Sequence, residues 1–265
     1  MLPNARGIIK ESFLLYKKDF KIFLPFVLLV IIPYTLMSLA PIANVFVISI
    51  LTNMMDGIKA TKLLSLALIG VIYVVLSIFV LWITTALTKR INERSTGNAT
   101  GATLSVKEEF NLAKKYLWPL ITTGILTILI LIGGTILFVI PGIIFGLWFA
   151  FASLAVILDD KRGMPALKYS KSLVAGRWWG VFWRLLAPTL LIGFVTYILE
   201  MIILFPFGFL TFYADSLLIT SLTIIVSMTI SAFLMPLSMS VPIILYRELK
   251  NSRVESAPMP SIPQA

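Results

Sequence analysis

A single carboxylate lies within an otherwise apolar stretch of the sequence. Glu200 occurs in Tyr197-Ile-Leu-Glu-Met-Ile-Ile-Leu204, which contains no Lys or Arg. An ionisable group inside a membrane helix is costly, and it commonly marks a proton relay, an ion site or a substrate contact. Glu200 is therefore the candidate intramembrane functional residue. The structural alternative is that it lies near one end of its segment and reaches water or a polar partner.

Most other catalytic chemistry is excluded by the composition. The chain contains no Cys and no His, which removes disulfides, thiolate nucleophiles, iron–sulfur clusters, Cys/His zinc sites and the commonest general base. No phosphate-binding glycine loop, nucleophile elbow, metalloprotease motif or dinucleotide fingerprint occurs. We therefore expect no catalytic residue, no cofactor and no bound metal, and we expect that the protein is not an enzyme.

The composition that surrounds Glu200 is that of a membrane protein. Of the 265 residues 59% are hydrophobic and only 13% are charged, and the mean hydropathy is +0.99. Soluble domains carry about twice that share of charge. A membrane helix needs about 20 apolar residues, and the apolar stretches provide six. The sequence predicts an all-α polytopic membrane protein with six transmembrane helices, arranged as three hairpins with cytoplasmic amphipathic interfacial helices. The approximate stretches are 22–40, 63–87, two within 117–158, 185–207 and 217–245.

The block from Leu117 to Leu158 contains 42 residues without a charge. A single helix of that length would extend for about 63 Å, twice the thickness of the hydrocarbon core. We therefore predict that Pro141 and Gly142 turn the chain at the far interface and that a second arm runs from Ile143 to Leu158. A re-entrant pair that never crosses the membrane is the alternative.

The cations are distributed unequally between the two sides of this scheme. Twenty of the 22 Lys and Arg residues fall on one side, and only Lys59 and Lys62 fall on the other. The positive-inside rule then places both termini in the cytoplasm, in the cell membrane. Residues 1–250 form one integral membrane domain, and the Pro-rich residues 251–265 form a disordered tail. A signal peptide cleaved after Ala40 is the alternative for the first segment.

Three basic amphipathic stretches precede the three hairpins, and we call residues 6–21, 105–117 and 165–177 the leading segments. Apolar residues recur at helical spacing in each: Ile9, Phe13, Tyr16 and Phe20; Val106, Phe110, Ala113 and Leu117; Leu167 and Val174, with Ser170 on the same face. Ser105 and Glu108 predict a capping box. The pattern indicates a threefold internal repeat.

Such helices are expected to lie flat at the interface, with their cations among anionic lipid headgroups. The partners expected are therefore membrane lipids and not nucleic acid, despite the net charge of +10. The sequence does not decide whether the chain also binds a protein partner or forms a homo-oligomer. Ordinary anchoring without specific lipid binding is the alternative. The candidate headgroup-binding residues are Lys10, Lys17, Lys18, Lys107, Lys114, Lys115, Lys168, Lys171 and Arg177.

Gly142, Gly146 and Ala150 form a stripe of small residues at fourfold spacing. This stripe is typical of closely packed membrane helices. Packing inside the protein's own bundle is favoured over dimerisation.

A stretch of about 40 residues, from Pro141 to Phe182, carries a recognisable pattern. The residues of the pattern are Pro141, Gly142, Trp148, Asp159, Gly163, Ala166, Leu167, Ser170, Leu173, Gly176 and Trp178. The stretch resembles the membrane domain attached to some glycerophosphoryl diester phosphodiesterases and found in stand-alone integral membrane proteins of unknown function. The resemblance implies a polytopic membrane domain involved with lipids or with transport. Phosphodiesterase activity is not implied, because the soluble barrel domain that carries it has no counterpart here.

Three functions are therefore considered. The first is a non-catalytic membrane protein that interacts with lipids or assists and regulates transport. The second is a transporter or channel that uses the carboxylate of Glu200. The third, a lipid-modifying enzyme, is the least favoured because no catalytic cluster is recognisable.

Overall fold

The structure is a computed structural model that describes residues 4–54, 58–97, 105–137, 139–213 and 216–255. Within these ranges every regular element is an α-helix, which confirms the all-α class. The helices are α1 (Ala5–Met54), α2 (Ile58–Ser95), α3 (Val106–Leu137), α4 (Val139–Phe149), α5 (Ala152–Asp159), α6 (Met164–Val174), α7 (Trp178–Tyr213) and α8 (Leu217–Glu255).

Six helical segments among the described residues are long and apolar enough to cross a membrane, as the sequence predicts. They are Ala5–Ile50, Lys62–Ser95, Val106–Ile136, Ile140–Asp159, Trp178–Leu210 and Leu217–Ser252. They form three consecutive hairpins: α1 with α2, α3 with α4 and α5, and α7 with α8.

The first two leading segments are not separate helices, contrary to the prediction. Residues 6–21 belong to α1, which is 50 residues long, and residues 106–117 belong to α3. Pro25 and Pro119 lie inside these helices and do not end them. No Gly or Asn stands at either junction to adopt the left-handed conformation that commonly ends a helix. Ending a helix there would also free backbone groups that water cannot reach inside the bundle.

Only the third leading segment is a helix of its own. Pro165 stands in the first turn of α6, and Gly176, with a φ of 80°, follows its end. Leu167, Ser170 and Val174 are buried on one face, as predicted.

The second hairpin turns earlier than predicted. Helix α3 ends at Leu137 and α4 begins at Val139, so Pro141 lies in the first turn of α4. Proline is tolerated there because the amide groups of a first turn have no partners within the helix. Phe138 itself lies outside the described residues.

The returning arm of this hairpin is broken, where the sequence predicts one helix from Ile143 to Leu158. Helix α4 ends at Phe149 and α5 begins at Ala152. The hydroxyl of Ser170 fills the break, since its Oγ accepts a hydrogen bond from the amide of Phe151 at 3.2 Å and donates one to the carbonyl of Trp148 at 2.6 Å.

The three hairpins pack in a cycle. Each leading segment contacts the returning arm of the preceding hairpin: α1 contacts α8, α3 contacts α2, and α6 contacts α4 and α5. A long-range hydrogen bond marks each contact. Tyr16 donates to the carbonyl of Phe233 at 2.9 Å, Trp82 donates to that of Phe110 at 2.7 Å, and Ser170 bridges the break.

The buried face of α1 differs from the predicted stripe by about one residue. Ile8, Ser12, Leu15, Asp19 and Phe23 are buried, whereas Phe13 is 55% exposed. Ser12 and Asp19 on that face are buried because they face neighbouring helices. A search for apolar residues at helical spacing does not identify such polar positions.

Helix α8 extends through Glu255, so residues 251–255 of the predicted tail are helical. Residues 256–265 lie outside the described residues.

Candidate functional sites at the basic end and around Glu200

Glu200 lies well inside the third hairpin. It is 13 residues before the end of α7, or about 20 Å along the helix. Its Oε1 accepts hydrogen bonds from Ser231 at 2.9 Å and from Ser227 at 3.3 Å. Among the described residues, the ion pairs do not include Glu200. The carboxyl group is therefore stabilised by two hydroxyls of α8.

The two serines were not among the residues predicted from the sequence. Ser227 and Ser231 are four residues apart, so they lie on the same face of α8. That spacing, in the helix that must pair with α7, was the signal that could have identified them. The cluster has one carboxylate and two hydroxyls, and hydroxyls can pass a proton as well as accept one.

The leading segments meet at one end of the bundle, which we call the basic end. Eight of the nine candidate headgroup-binding cations have exposed side chains there: Lys10, Lys17, Lys18, Lys107, Lys114, Lys115, Lys168 and Lys171. The ninth, Arg177, is half-buried and donates to Ser252 Oγ at 2.6 Å and to the carbonyl of Leu249 at 3.4 Å. Arg177 thus joins the third leading segment to the end of α8.

Several of the exposed lysines rest on aromatic rings. The Lys171 ammonium lies 4.0 Å from the centre of the Trp148 ring, and that of Lys114 lies 5.3 Å from Trp82. Such contacts hold a cation in place without neutralising its charge. These lysines stay available to an anion outside the protein.

Buried ion pairs tie the hairpins together beneath this exposed charge. Arg90 Nε and Glu109 Oε1 are 2.6 Å apart, and both side chains are at most 6% exposed. This pair links α2 to the second leading segment. Arg94 pairs with Asp19 in the same way and links α2 to the first. The sequence analysis did not identify these pairs, because residues distant in sequence give no pairwise signal in a single chain.

The acidic pair at the end of α5 has a structural role. Asp159 accepts hydrogen bonds from Tyr246 and Lys250 of α8, and Asp160 adopts the left-handed conformation that ends α5, with a φ of 50°. The two carboxylates diverge, so they do not form a paired acid–base site. No group of three or more His, Cys, Asp or Glu suited to a metal occurs in the part of the chain that the structure describes.

The small-residue stripe faces α3. A Cβ added at Gly142 would collide with Thr135 Oγ1, and one added at Gly146 would lie 3.9 Å from Leu131. Ala150 stands at the break between α4 and α5. The first two glycines therefore pack within the protein's own bundle, which is the arrangement favoured by the sequence analysis.

A cavity of about 260 Å³ lies where the three returning arms meet. Its polar lining consists of hydroxyl groups from Thr84, Thr85 and Thr88 of α2 and Ser153 of α5. Each threonine hydroxyl donates to a carbonyl of its own helix, so its oxygen keeps acceptor capacity.

The fold and these sites define a multi-pass helical membrane protein with a cation-rich end. Comparison of the chain with protein-family models, with curated proteins and with solved structures finds no match in any of the three. The resemblance of residues 141–182 to the phosphodiesterase-associated membrane domain therefore stays a prediction.

Proposed function

We propose that the chain is a non-catalytic integral protein of the cytoplasmic membrane that gathers anionic lipid headgroups at its basic end. Through that lipid shell it would organise its surroundings or assist transport. The observation that carries the proposal is the exposure of eight lysines on three leading segments that converge on one end of the bundle.

The electrostatics favour lipid headgroups, rather than carboxylates of the protein, as the counter-charge of the exposed lysines. Each Lys or Arg near an anionic leaflet contributes about 1 kcal/mol. The internal carboxylates Asp19 and Glu109 are already occupied by Arg94 and Arg90. Among the described residues Lys115 pairs with Asp160 at 3.6 Å, and the charge of the other exposed lysines faces the headgroup region. The positive-inside rule supports a cytoplasmic location for the same end.

The test is lipid selectivity in bilayer discs that contain phosphatidylglycerol and phosphatidylcholine. Spin-labelled lipids report the fraction that is immobilised by the protein. We expect selectivity for phosphatidylglycerol, and K17Q/K18Q should lower it by up to about thirtyfold for lipid beside these lysines, since the two together contribute about 2 kcal/mol. The matched control is K59Q/K62Q, which removes the only two cations of the opposite side. Equal selectivity in wild type and in a variant with all eight exposed lysines changed to Gln would refute the proposal.

A transporter or channel is the second candidate, and the Glu200 cluster favours it. A carboxyl group bound by two hydroxyls in the interior of a membrane helix is typical of proton and cation pathways. In this case Glu200→Gln should abolish flux into liposomes across an imposed proton or sodium gradient. Ser231→Ala, which leaves the carboxylate in place, should only reduce that flux. An unchanged flux in Glu200→Gln, or no flux in wild type, would remove this candidate.

A further inference from the structure

An apolar groove runs between the second and third hairpins. One part, of about 560 Å³, is lined by Ile140, Ile143, Ile144 and Trp148 of α4, and by Ala175, Gly176, Trp178 and Trp179 before and at the start of α7. A second part, of about 300 Å³, continues along α4 from Ile143 to Ala150 and is bounded by Phe182, Leu185 and Leu186. Ile143 lines both parts, so they adjoin along α4, and we treat them as one groove.

The dimensions of the groove match a lipid chain. From Ile140 to Ala150 it follows ten residues of helical rise, or about 15 Å. This is the length of hydrocarbon in one leaflet of a bilayer about 30 Å thick. The lining is almost wholly apolar, and Ile143 is 52% exposed and Trp179 67% exposed, so the groove opens sideways. In a membrane, that opening faces lipid.

The groove carries a positive charge where Trp148 lines it. The Lys171 ammonium lies 4.0 Å from the centre of the Trp148 ring. The ring holds this cation in place without neutralising its charge. An anionic oxygen beside Trp148 would neutralise the lysine.

We propose that this groove is a binding site for one anionic glycerophospholipid, with an acyl chain along α4 and the phosphate beside Lys171. The inference deepens the proposed function, because it rests on the same affinity for anionic lipid. It differs in kind, since it assigns one retained molecule to one groove rather than an enriched shell.

The test is the lipid content of protein purified in a detergent that strips the loosely held shell. Native mass spectrometry should find one phosphatidylglycerol bound to the wild type. Ile143→Trp fills the groove and should lower its occupancy by about tenfold, the equivalent of losing the burial of two methylene groups. Ile132→Trp is the matched control, because Ile132 is 51% exposed on α3 and lines neither part of the groove. Leu186→Trp is a second groove-filling variant, in case Ile143→Trp does not fold.

A separate experiment tests the assignment of the headgroup to Lys171. Lys171→Gln should abolish the preference for phosphatidylglycerol over phosphatidylcholine in the retained molecule, whereas Lys10→Gln should keep it. Equal retention in the groove-filled variants and in Ile132→Trp would overturn the site, and so would a wild type that retains only detergent. If the spin-labelled lipids show no selectivity but one lipid is retained in the groove, the proposed function is refuted and the groove site is supported. If the spin-labelled lipids show selectivity but no lipid is retained, only the groove site is refuted.

Discussion

Ser170 supports the most decisive test of this architecture, because one hydroxyl closes the break in the second hairpin. Ser170→Ala removes only the oxygen, yet it leaves the Phe151 amide without an acceptor and the Trp148 carbonyl without its donor. Ser170 is fully buried, so water cannot replace the bonds. Each unsatisfied buried group costs about 1–3 kcal/mol. We therefore expect a loss of about 2–4 kcal/mol in the free energy of unfolding.

The assay is thermal unfolding of the purified protein in detergent. A loss of that size should lower the Tm by at least about 4 °C, at about 2–4 °C per kcal/mol for a chain of this size. Ser172→Ala is the control on the same helix, since Ser172 donates to Tyr169 of its own turn. It should change stability by no more than about 0.5 kcal/mol. If Ser170→Ala and Ser172→Ala unfolded at the same temperature, the bridging role of Ser170 would be wrong.

Three further predictions concern the other contacts between helices. Arg90→Leu should lower the free energy of unfolding by about 3–5 kcal/mol, because it leaves the Glu109 carboxylate buried and unpaired. The double variant Arg90→Leu/Glu109→Leu should regain most of this stability, and a double-mutant cycle measures the difference. Gly142→Ala should destabilise by about 1–3 kcal/mol through its collision with Thr135, and Thr135→Ala should relieve part of that loss in the same unfolding assay. Ile140→Cys, in a chain that has no natural cysteine, should react with a membrane-impermeant maleimide added opposite the basic end, because residue 140 follows the turn between α3 and α4; labelling from the basic end alone would contradict the crossing of this hairpin.

The long elements could be predicted from the sequence because the membrane imposes a strong rule on them. About 20 consecutive apolar residues must form a helix in lipid, so the six spans follow from composition, although α7 and α8 extend beyond the predicted stretches 185–207 and 217–245. The capping box at Ser105 and Glu108 is present as predicted, with the Ser105 amide 2.8 Å from Glu108 Oε2. Short-range patterns of this kind depend only on neighbouring residues.

The contacts between helices could not be predicted in the same way. The break at Ala150 and Phe151 contains no Pro or Gly, and it is stable only because Ser170, from another helix, supplies the missing hydrogen bonds. The partners of Arg94 and Glu200 likewise come from other helices. Such pairings depend on which helices become neighbours, and one sequence without tertiary information does not specify this.

The cyclic order of the hairpins has a consequence for how the protein is made. Helix α1 is synthesised well before α8, yet it packs as extensively against α8 as against its neighbour α2. The first hairpin can form its ion pair between Asp19 and Arg94 early, but the cycle of three hairpins cannot be completed until α8 has been translated. A nascent chain halted before α8 would expose the Ile8 and Leu15 face of α1 and should be a target for membrane quality control.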